Sequence, residues 1–305
     1  MHKSVLLDEC IQNLNLKDDS VIVDATLGYA GHSSEILKRI KNGYLYAFDQ
    51  DEDAIKSSTK RLNEIGSNYE IIYSNFVYMK EELKKRNVKE INGILFDLGV
   101  SSPQLDEETR GFSFHNNARL DMRMNKKNKL SAYEVVNEYD EKKLTEIFFK
   151  YGEEKYAKNI AKKIVEIRKI KKIETTLELV DIISSSVPFK YKREHHPARK
   201  VFQAIRIEVN DELNVFAKAL NYALDLIAVN GRICVITFHS LEDKICKEIF
   251  NENSTVKKEL QKLPIIPDEF KPKFKVIGVI KPSETEVNCN NRSRSAKLRV
   301  IERIG

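Results

Sequence analysis

From residue 20 to about residue 97 the chain alternates short apolar runs with stretches of helical period. The runs are Val21 to Val23, Tyr44 to Phe48, Glu70 to Tyr73 and Gly93 to Phe96, and between them lie Ser33 to Ile40, Asp53 to Ile65 and Val77 to Arg86. Strands without polar alternation are those covered by helices on both faces, and right-handed crossovers between them build an open parallel sheet. The pattern predicts the order β-α-β-α-β-α-β. Further on, Gly231 to Phe238 reads as a buried strand followed by a helix over Leu241 to Phe250, and Lys275 to Ile280 with Ala296 to Ile301 as a closing antiparallel pair.

Strand signals are missing from the middle of the chain. Between Gln104 and Val187 there is no proline, and Gly111 and Gly152 are the only glycines. Ser131 with Glu134 and Thr175 with Glu178 have capping-box spacing, Asp140 suits an N-cap, and Ala157, Ile160, Ala161 and Ile164 share one helix face. A further helical stretch, Ala198 to Ile227, leads back to the sheet. The fold class expected is α/β, a doubly wound Rossmann-like sheet formed by residues 1–104 and 209–305, with a helical domain inserted at 105–208.

The chain's 305 residues, 41% of them hydrophobic, are enough for two domains. Residues 105–208 hold 23 Lys and Arg against 17 Asp and Glu, while the rest of the chain balances at 29 against 29. The net charge of +6 is therefore concentrated in the insertion. That excess suits either a solvated face or an anionic partner. Cys10, Cys234, Cys246 and Cys289 lie far apart without a Cys-x-x-Cys pair, which supports neither a zinc ribbon nor a disulfide framework. The N-terminus lacks the apolar core of a signal peptide and no run is long enough to span a membrane, so the cytoplasm is expected.

Open α/β sheets bind ligands beyond the carboxyl ends of their strands, and three of the predicted strands end in aspartate: Asp24, Asp49 and Asp97. Between the first strand and its helix, Gly28 and Gly31 allow a tight turn and close backbone approach ahead of His32. Asp49 stands about 20 residues further on, where a carboxylate can accept hydrogen bonds from both hydroxyls of a ribose. The glycine pattern falls short of a full dinucleotide fingerprint. A rim of carboxylates also suits a cofactor carrying a sulfonium and an ammonium better than a pyrophosphate, which favours S-adenosylmethionine over NAD.

The block Asp97-Leu98-Gly99-Val100-Ser101-Ser102-Pro103-Gln104-Leu105-Asp106 resembles a hallmark of the RsmH (MraW) family, enzymes that methylate cytosine N4 in small-subunit ribosomal RNA. Other blocks match in order: His2 to Glu9, Arg110 to Phe114, Leu120 to Met124, Tyr151 to Glu154, His196 to Ala198, Phe202 to Ile207, Phe238 to Asp243 and Arg292 to Arg299. The likeness covers essentially the whole chain. It implies the class I methyltransferase form of the sheet and a cytosine target in 16S ribosomal RNA near the decoding centre. It also implies cofactor contacts from Ala30, Gly31, His32, Asp49, Phe76, Asp97 and Gln104, with the small ribosomal subunit or its RNA as partner and no metal. Gln104 enters through the resemblance alone. Ala30 stands where the family usually has glycine, Asn116 to Arg119 depart from its acidic residue, glycine and proline, and Lys200 and Asn291 replace commoner residues.

Methyl transfer from a sulfonium needs a nucleophile held in line, so positioning can supply much of the catalysis. An exocyclic amine is a poor nucleophile, and acceptors on its N–H groups improve it. Asp97, the best catalytic candidate, and the turn Ser101-Ser102-Pro103 are placed to provide them. Phe112 and Phe114 are candidates for stacking on a flipped base, with simple hydrophobic anchoring as the alternative. Lys190, Lys192, Arg193, Arg199 and Lys200, with Tyr191 among them, could meet phosphates. His239, Ser240 and Asp243 read as the start of a helix with Ser240 as N-cap rather than as a hydrolase triad, and His195 and His196 lack a third metal ligand. An NAD-dependent oxidoreductase and a non-catalytic RNA-binding protein are the competing readings.

Overall fold

A computed structural model of the chain describes residues 4–194, 196–256, 259–260 and 266–305, so His2 and His195 lie outside the described residues. The chain forms two units, one of residues 1–99 with 213–305 and the other of residues 100–212.

The first unit is built on a sheet of seven strands: β1 (Val21–Asp24), β2 (Tyr44–Asp49), β3 (Tyr69–Tyr73), β4 (Ile91–Asp97), β5 (Ile227–Thr237), β6 (Phe274–Ile280) and β7 (Lys297–Arg303). Their order across the sheet is β3-β2-β1-β4-β5-β7-β6. The first five are parallel, whereas β7 runs antiparallel to both β5 and β6. The doubly wound Rossmann-like sheet is therefore present. Its strand order reverses between β1 and β4, where such sheets open a ligand crevice.

Successive residues of a strand face opposite sides, and here both sides are buried. Ile22, Leu95, Cys234 and Ile236 pack with Cys10 and Leu14 near α1 (Leu7–Asn13) and with Ile36 of α2 (Gly31–Leu37). Val23, Ile94, Phe96 and Val235 pack on the other side with Phe216 and Leu220 of α12 (Glu212–Leu226) and with Cys246 and Phe250 of α13 (Ser240–Ser254). This two-sided burial is why the strands read as unbroken apolar runs. This unit also contains the α-helices α3 (Glu52–Asn63), α4 (Met79–Lys85) and α14 (Glu284–Cys289).

The second unit contains α5 (Ser102–Asp106), α6 (Ala132–Glu138), α7 (Glu141–Lys150), α8 (Ala157–Arg168), α9 (Thr176–Ser185), α10 (Phe189–Glu194) and α11 (Ala198–Asn210). Ser131 and Thr175 form the predicted capping boxes, and the Asp140 side chain accepts from the Lys143 N–H at 2.7 Å. Ala157, Ile160, Ala161 and Ile164 are buried along one face of α8, in a core shared with Leu144, Phe148, Leu179, Ile183 and Phe202.

Two features depart from the sequence expectation. The stretch Ala198 to Ile227 is not one helix. Asp211 adopts a left-handed conformation (φ 50°), which splits it into α11 and α12, and Ile227 already belongs to β5. Aspartate tolerates that conformation better than most residues. The second departure is α1, which starts after a left-handed Leu6 with no side-chain cap and so carries no start signal in the sequence.

Candidate functional site

The loop from Ala25 to Ala30 joins β1 to α2 and is fastened to the ends of both neighbouring strands. Ala25 N–H donates to Leu95 O on the β4 side, and Leu27 N–H donates to Phe48 O on the β2 side, each at 2.9 Å. Gly28 (φ 50°) and Ala30 (φ 58°) make its left-handed turns, with Ala30 as the N-cap residue of α2. A Cβ on Gly31 would lie 1.8 Å from the Ser4 hydroxyl oxygen, so a larger residue there would oblige the Ser4 side chain to turn away.

The three strand-end aspartates have different jobs. Asp24 is fully enclosed and committed to its own turn, accepting from Thr26 N–H at 3.0 Å and Ser33 O–H at 2.6 Å. It does not join a ligand-facing rim, as the strand-end pattern suggested. Asp49 accepts from Gly28 N–H and Asp51 N–H, each at 2.9 Å, and so holds the loop to the end of β2. The Gln50 N–H also bonds to this carboxylate, so backbone groups already take up most of its acceptor sites. Burial pushes Asp49 up to about 7, against the pull of those N–H groups.

Asp97 ends β4, and its own N–H donates to Thr26 Oγ1 at 2.7 Å. About a quarter of its side chain is exposed, yet its Oδ1 atom is buried and has no hydrogen-bond partner among the described residues. Its Oδ2 atom lies 3.5 Å from Nδ1 of the buried His32. Burial, followed by the negative charges of Asp24 and Glu242, pushes Asp97 up to about 8. A buried acceptor without a donor, in a surplus of negative charge, fits a positively charged ligand group. His32 itself is lowered to about 4 by burial, and its Nε2 atom is 3.2 Å from Val5 O.

Phe76 opens a short turn after β3, where the Asn75 side chain accepts from Val77 N–H. The ring is partly buried and meets Phe96 edge-on, with centroids 5.7 Å apart. Ala30, Gly31, His32, Asp49, Phe76 and Asp97 all belong to the first unit, at the carboxyl ends of β1 to β4 and the loops that follow them. Gln104 belongs to the second. There it forms a capping box with Ser101 at the start of α5, its Oε1 accepting from Ser101 N–H at 3.0 Å.

At the end of β5 the N-cap of α13 is His239, not Ser240. The His239 Nδ1 atom accepts from Glu242 N–H, and the Glu242 carboxylate accepts from the N–H groups of Phe238 and His239. Asp243 is held by Lys297 at 2.8 Å and Arg299 at 2.7 Å, which leaves no triad with His239 and Ser240. From the sequence Glu242 was read only as an acidic residue in the first turn of the helix, although His239-x-x-Glu242 has capping-box spacing and its charge reaches Asp97.

In the second unit Phe112 is a core residue, while Phe114 stacks on the exposed His196 at 4.4 Å between centroids. Tyr191 is also buried, donating its O–H to Glu154 Oε2 at 2.7 Å, which removes it from the basic surface. Lys190, Lys192, Arg193 and Arg199 are exposed, whereas Lys200 donates to Glu153 O. The departing segment Asn116 to Arg119 is tied to the start of α9, with Thr176 Oγ1 donating to Asn116 O and accepting from Ala118 N–H. Among the described residues there is no group of three or more His, Cys, Asp or Glu that could hold a metal ion, and no helix is long and apolar enough to cross a membrane.

The sequence pattern of the MraW methylase family matches residues 1–304. The chain is 53% identical to the ribosomal RNA small subunit methyltransferase H of Exiguobacterium sibiricum, over 99% of this chain and 98% of that protein. Among solved structures it is similar to an rRNA methylase from Streptococcus thermophilus (TM-score 0.46, 14% identity, 100% of this chain and 99% of that one). It is also similar to a Streptococcus mutans protein solved in complex with SAH (TM-score 0.45, 13% identity, 100% of both chains). The strand order of the sheet, rather than these two likenesses, establishes the fold.

Proposed function

The chain belongs to the MraW methylase family, and on that premise we propose that it transfers a methyl group from S-adenosylmethionine to the exocyclic N4 of a cytosine in small-subunit ribosomal RNA. The observation that carries this reading is the partnerless, buried Oδ1 of Asp97 at the end of β4, beside a loop held by Asp49 at the point where the strand order reverses. A class I methyltransferase sheet with a cation-seeking carboxylate there suits a sulfonium cofactor. NAD, the alternative, would bring a pyrophosphate into a region already rich in negative charge. A non-catalytic RNA-binding protein would have no use for Asp97 in this state.

When bound, S-adenosylmethionine supplies an electrophilic methyl carbon. Asp49 would hold the ribose, Phe76 would lie against the adenine, and the loop from Ala30 to His32 would border the cofactor. Asp97 would balance the positive charge and accept from the N4 amine, which would turn the nitrogen lone pair toward the methyl donor. As the new C–N bond forms, the donor's S–CH3 bond would break with its electron pair left on sulfur, and the amine would lose a proton to solvent. Residues 105–208 recognise the RNA, with the exposed Lys190, Lys192, Arg193 and Arg199 meeting phosphates, in the cytoplasm where subunits are assembled.

Nucleoside mass spectrometry tests the reaction, using free small-subunit RNA and the assembled subunit as separate substrates. N4-methylcytosine should appear only when both protein and S-adenosylmethionine are present, and a lack of it with both substrates would overturn the assignment. The cofactor contact has its own test. Asp49→Ala should weaken S-adenosylmethionine binding about a hundredfold, since hydrogen bonds to a charged group are each worth roughly 1.5–3 kcal/mol. It also leaves the N–H groups of Gly28 and Asp51 without their acceptor. Unchanged affinity by isothermal titration calorimetry would exclude Asp49 from the site.

A further inference from the structure

We propose that, before the cofactor binds, His32 and Asp97 share a single proton, that His32 is the positioning residue holding Asp97 in its neutral form, and that the arriving cationic cofactor expels this proton to solvent. The inference rests on the reading of this site as one for S-adenosylmethionine.

The geometry starts at Val5. Its carbonyl oxygen can only accept, so the contact at 3.2 Å requires the hydrogen of His32 to sit on Nε2. A neutral imidazole then turns the lone pair of Nδ1 toward Asp97 Oδ2, 3.5 Å away, just beyond ordinary hydrogen-bond length. An ionised carboxylate would set lone pair against lone pair. Protonating the imidazole a second time would remove that conflict, but His32 is enclosed, and burial lowers it to about 4. The remaining solution is a proton on Asp97 Oδ2, donated toward Nδ1.

The surroundings favour the same state. The titratable groups around Asp97 are Asp24 at the end of β1, His32 on α2, Glu242 on α13 and Cys10 on α1, whose thiol is raised partly by Asp97 itself. None of these is a cation at neutral pH, and among the described residues no lysine or arginine is paired with Asp97. Asp97 Oδ1 likewise meets no donor among the described residues. A neutral carboxyl is tolerated in such a place, and a carboxylate only once positive charge arrives. On binding, the O–H bond of Asp97 breaks, the proton passes to buffer, and the negative charge left behind faces the cofactor. His32 keeps its Nε2 hydrogen throughout.

Titration of S-adenosylmethionine into the full-length protein at pH 6.5, in phosphate and in imidazole buffer, measures that proton directly. The apparent enthalpies should differ between the buffers by the amount for release of close to one proton. Affinity should also rise about tenfold per pH unit between pH 5.5 and 7.5. His32→Asn, whose amide oxygen can stand where Nδ1 stands, should retain the release, and His32→Leu should diminish it and flatten the pH profile. Binding with the same heat in both buffers overturns the shared proton and leaves the site intact. No binding in either buffer overturns the reading of the site itself. Full release from His32→Leu removes His32 from the role, and the wild-type comparison stands even where a variant does not fold.

Discussion

Asp97→Ala is expected to lower kcat/KM for methyl transfer about a thousandfold. Part of the loss comes from binding, because a hydrogen bond to a charged group is worth roughly 1.5–3 kcal/mol, or about ten- to a hundredfold. The remainder comes from the amine, because displacing a reactant by about 1 Å can cost on the order of a hundredfold in rate. Asp97→Asn, which keeps one oxygen and loses the charge, should fall between. Steady-state rates with RNA and labelled cofactor, together with calorimetric affinities, check this. An alanine variant with normal affinity and normal turnover would remove Asp97 from the mechanism.

The same substitution should not weaken the cofactor-free fold at high pH. Asp97 is raised in the folded protein, to about 8, so its contribution to stability is fully present below the unfolded carboxyl pKa and is lost as pH rises through about 8. Above that pH the wild-type protein bears a buried charge that the alanine variant lacks. A simple structural role for Asp97 predicts the opposite order of thermal midpoints at pH 9.

Gly111→Ala should cost roughly 3 kcal/mol of stability, combining about 1 kcal/mol for a left-handed non-glycine residue with about 1–3 kcal/mol for overpacking. Gly111 sits at φ 69°, and a Cβ on it would lie 2.4 Å from Arg119 O and 3.0 Å from Asp121 N, both backbone atoms that cannot swing away. The adjoining turn is held from the other side too: Met122 N–H donates to Arg110 O, and the Arg110 guanidinium donates to Arg123 O and Met124 O. Urea unfolding should show a clear fall in midpoint. An unchanged midpoint would mean that this turn yields more easily than its contacts imply.

How much of this was legible in the sequence depended on whether the signal was local. The sheet was, because two-sided burial leaves an unbroken apolar run, and so were the caps at Ser131, Asp140 and Thr175, because side chain and target N–H lie within three residues. The place of Asp49 at the end of β2 was legible too, although its hold on the Gly28 loop was not. What escaped depended on partners distant in sequence. Asp24 looks like Asp49 until Ser33 and Thr26 are seen to occupy it, and Tyr191 looks like a surface residue until Glu154 receives its hydroxyl. Phe112 and Phe114 are two residues apart in one motif, yet one is core and the other stacks on His196. His239 escaped because imidazole is an uncommon N-cap, and Gln104 was suggested by family likeness alone.

The strand order also constrains how the chain comes to be folded. The neighbour of β4 in the sheet is β5, and the whole second unit is encoded between them. During synthesis from the N-terminus, residues 100–212 emerge complete while the sheet still lacks three of its seven strands, and Leu95 and Phe96 wait with one edge of β4 unpaired. Pairing β4 with β5 closes a loop of more than a hundred residues, a step whose entropy cost is lowered if the intervening chain has already condensed. Once condensed, the inserted helices would act as a spacer that shortens the search for β5.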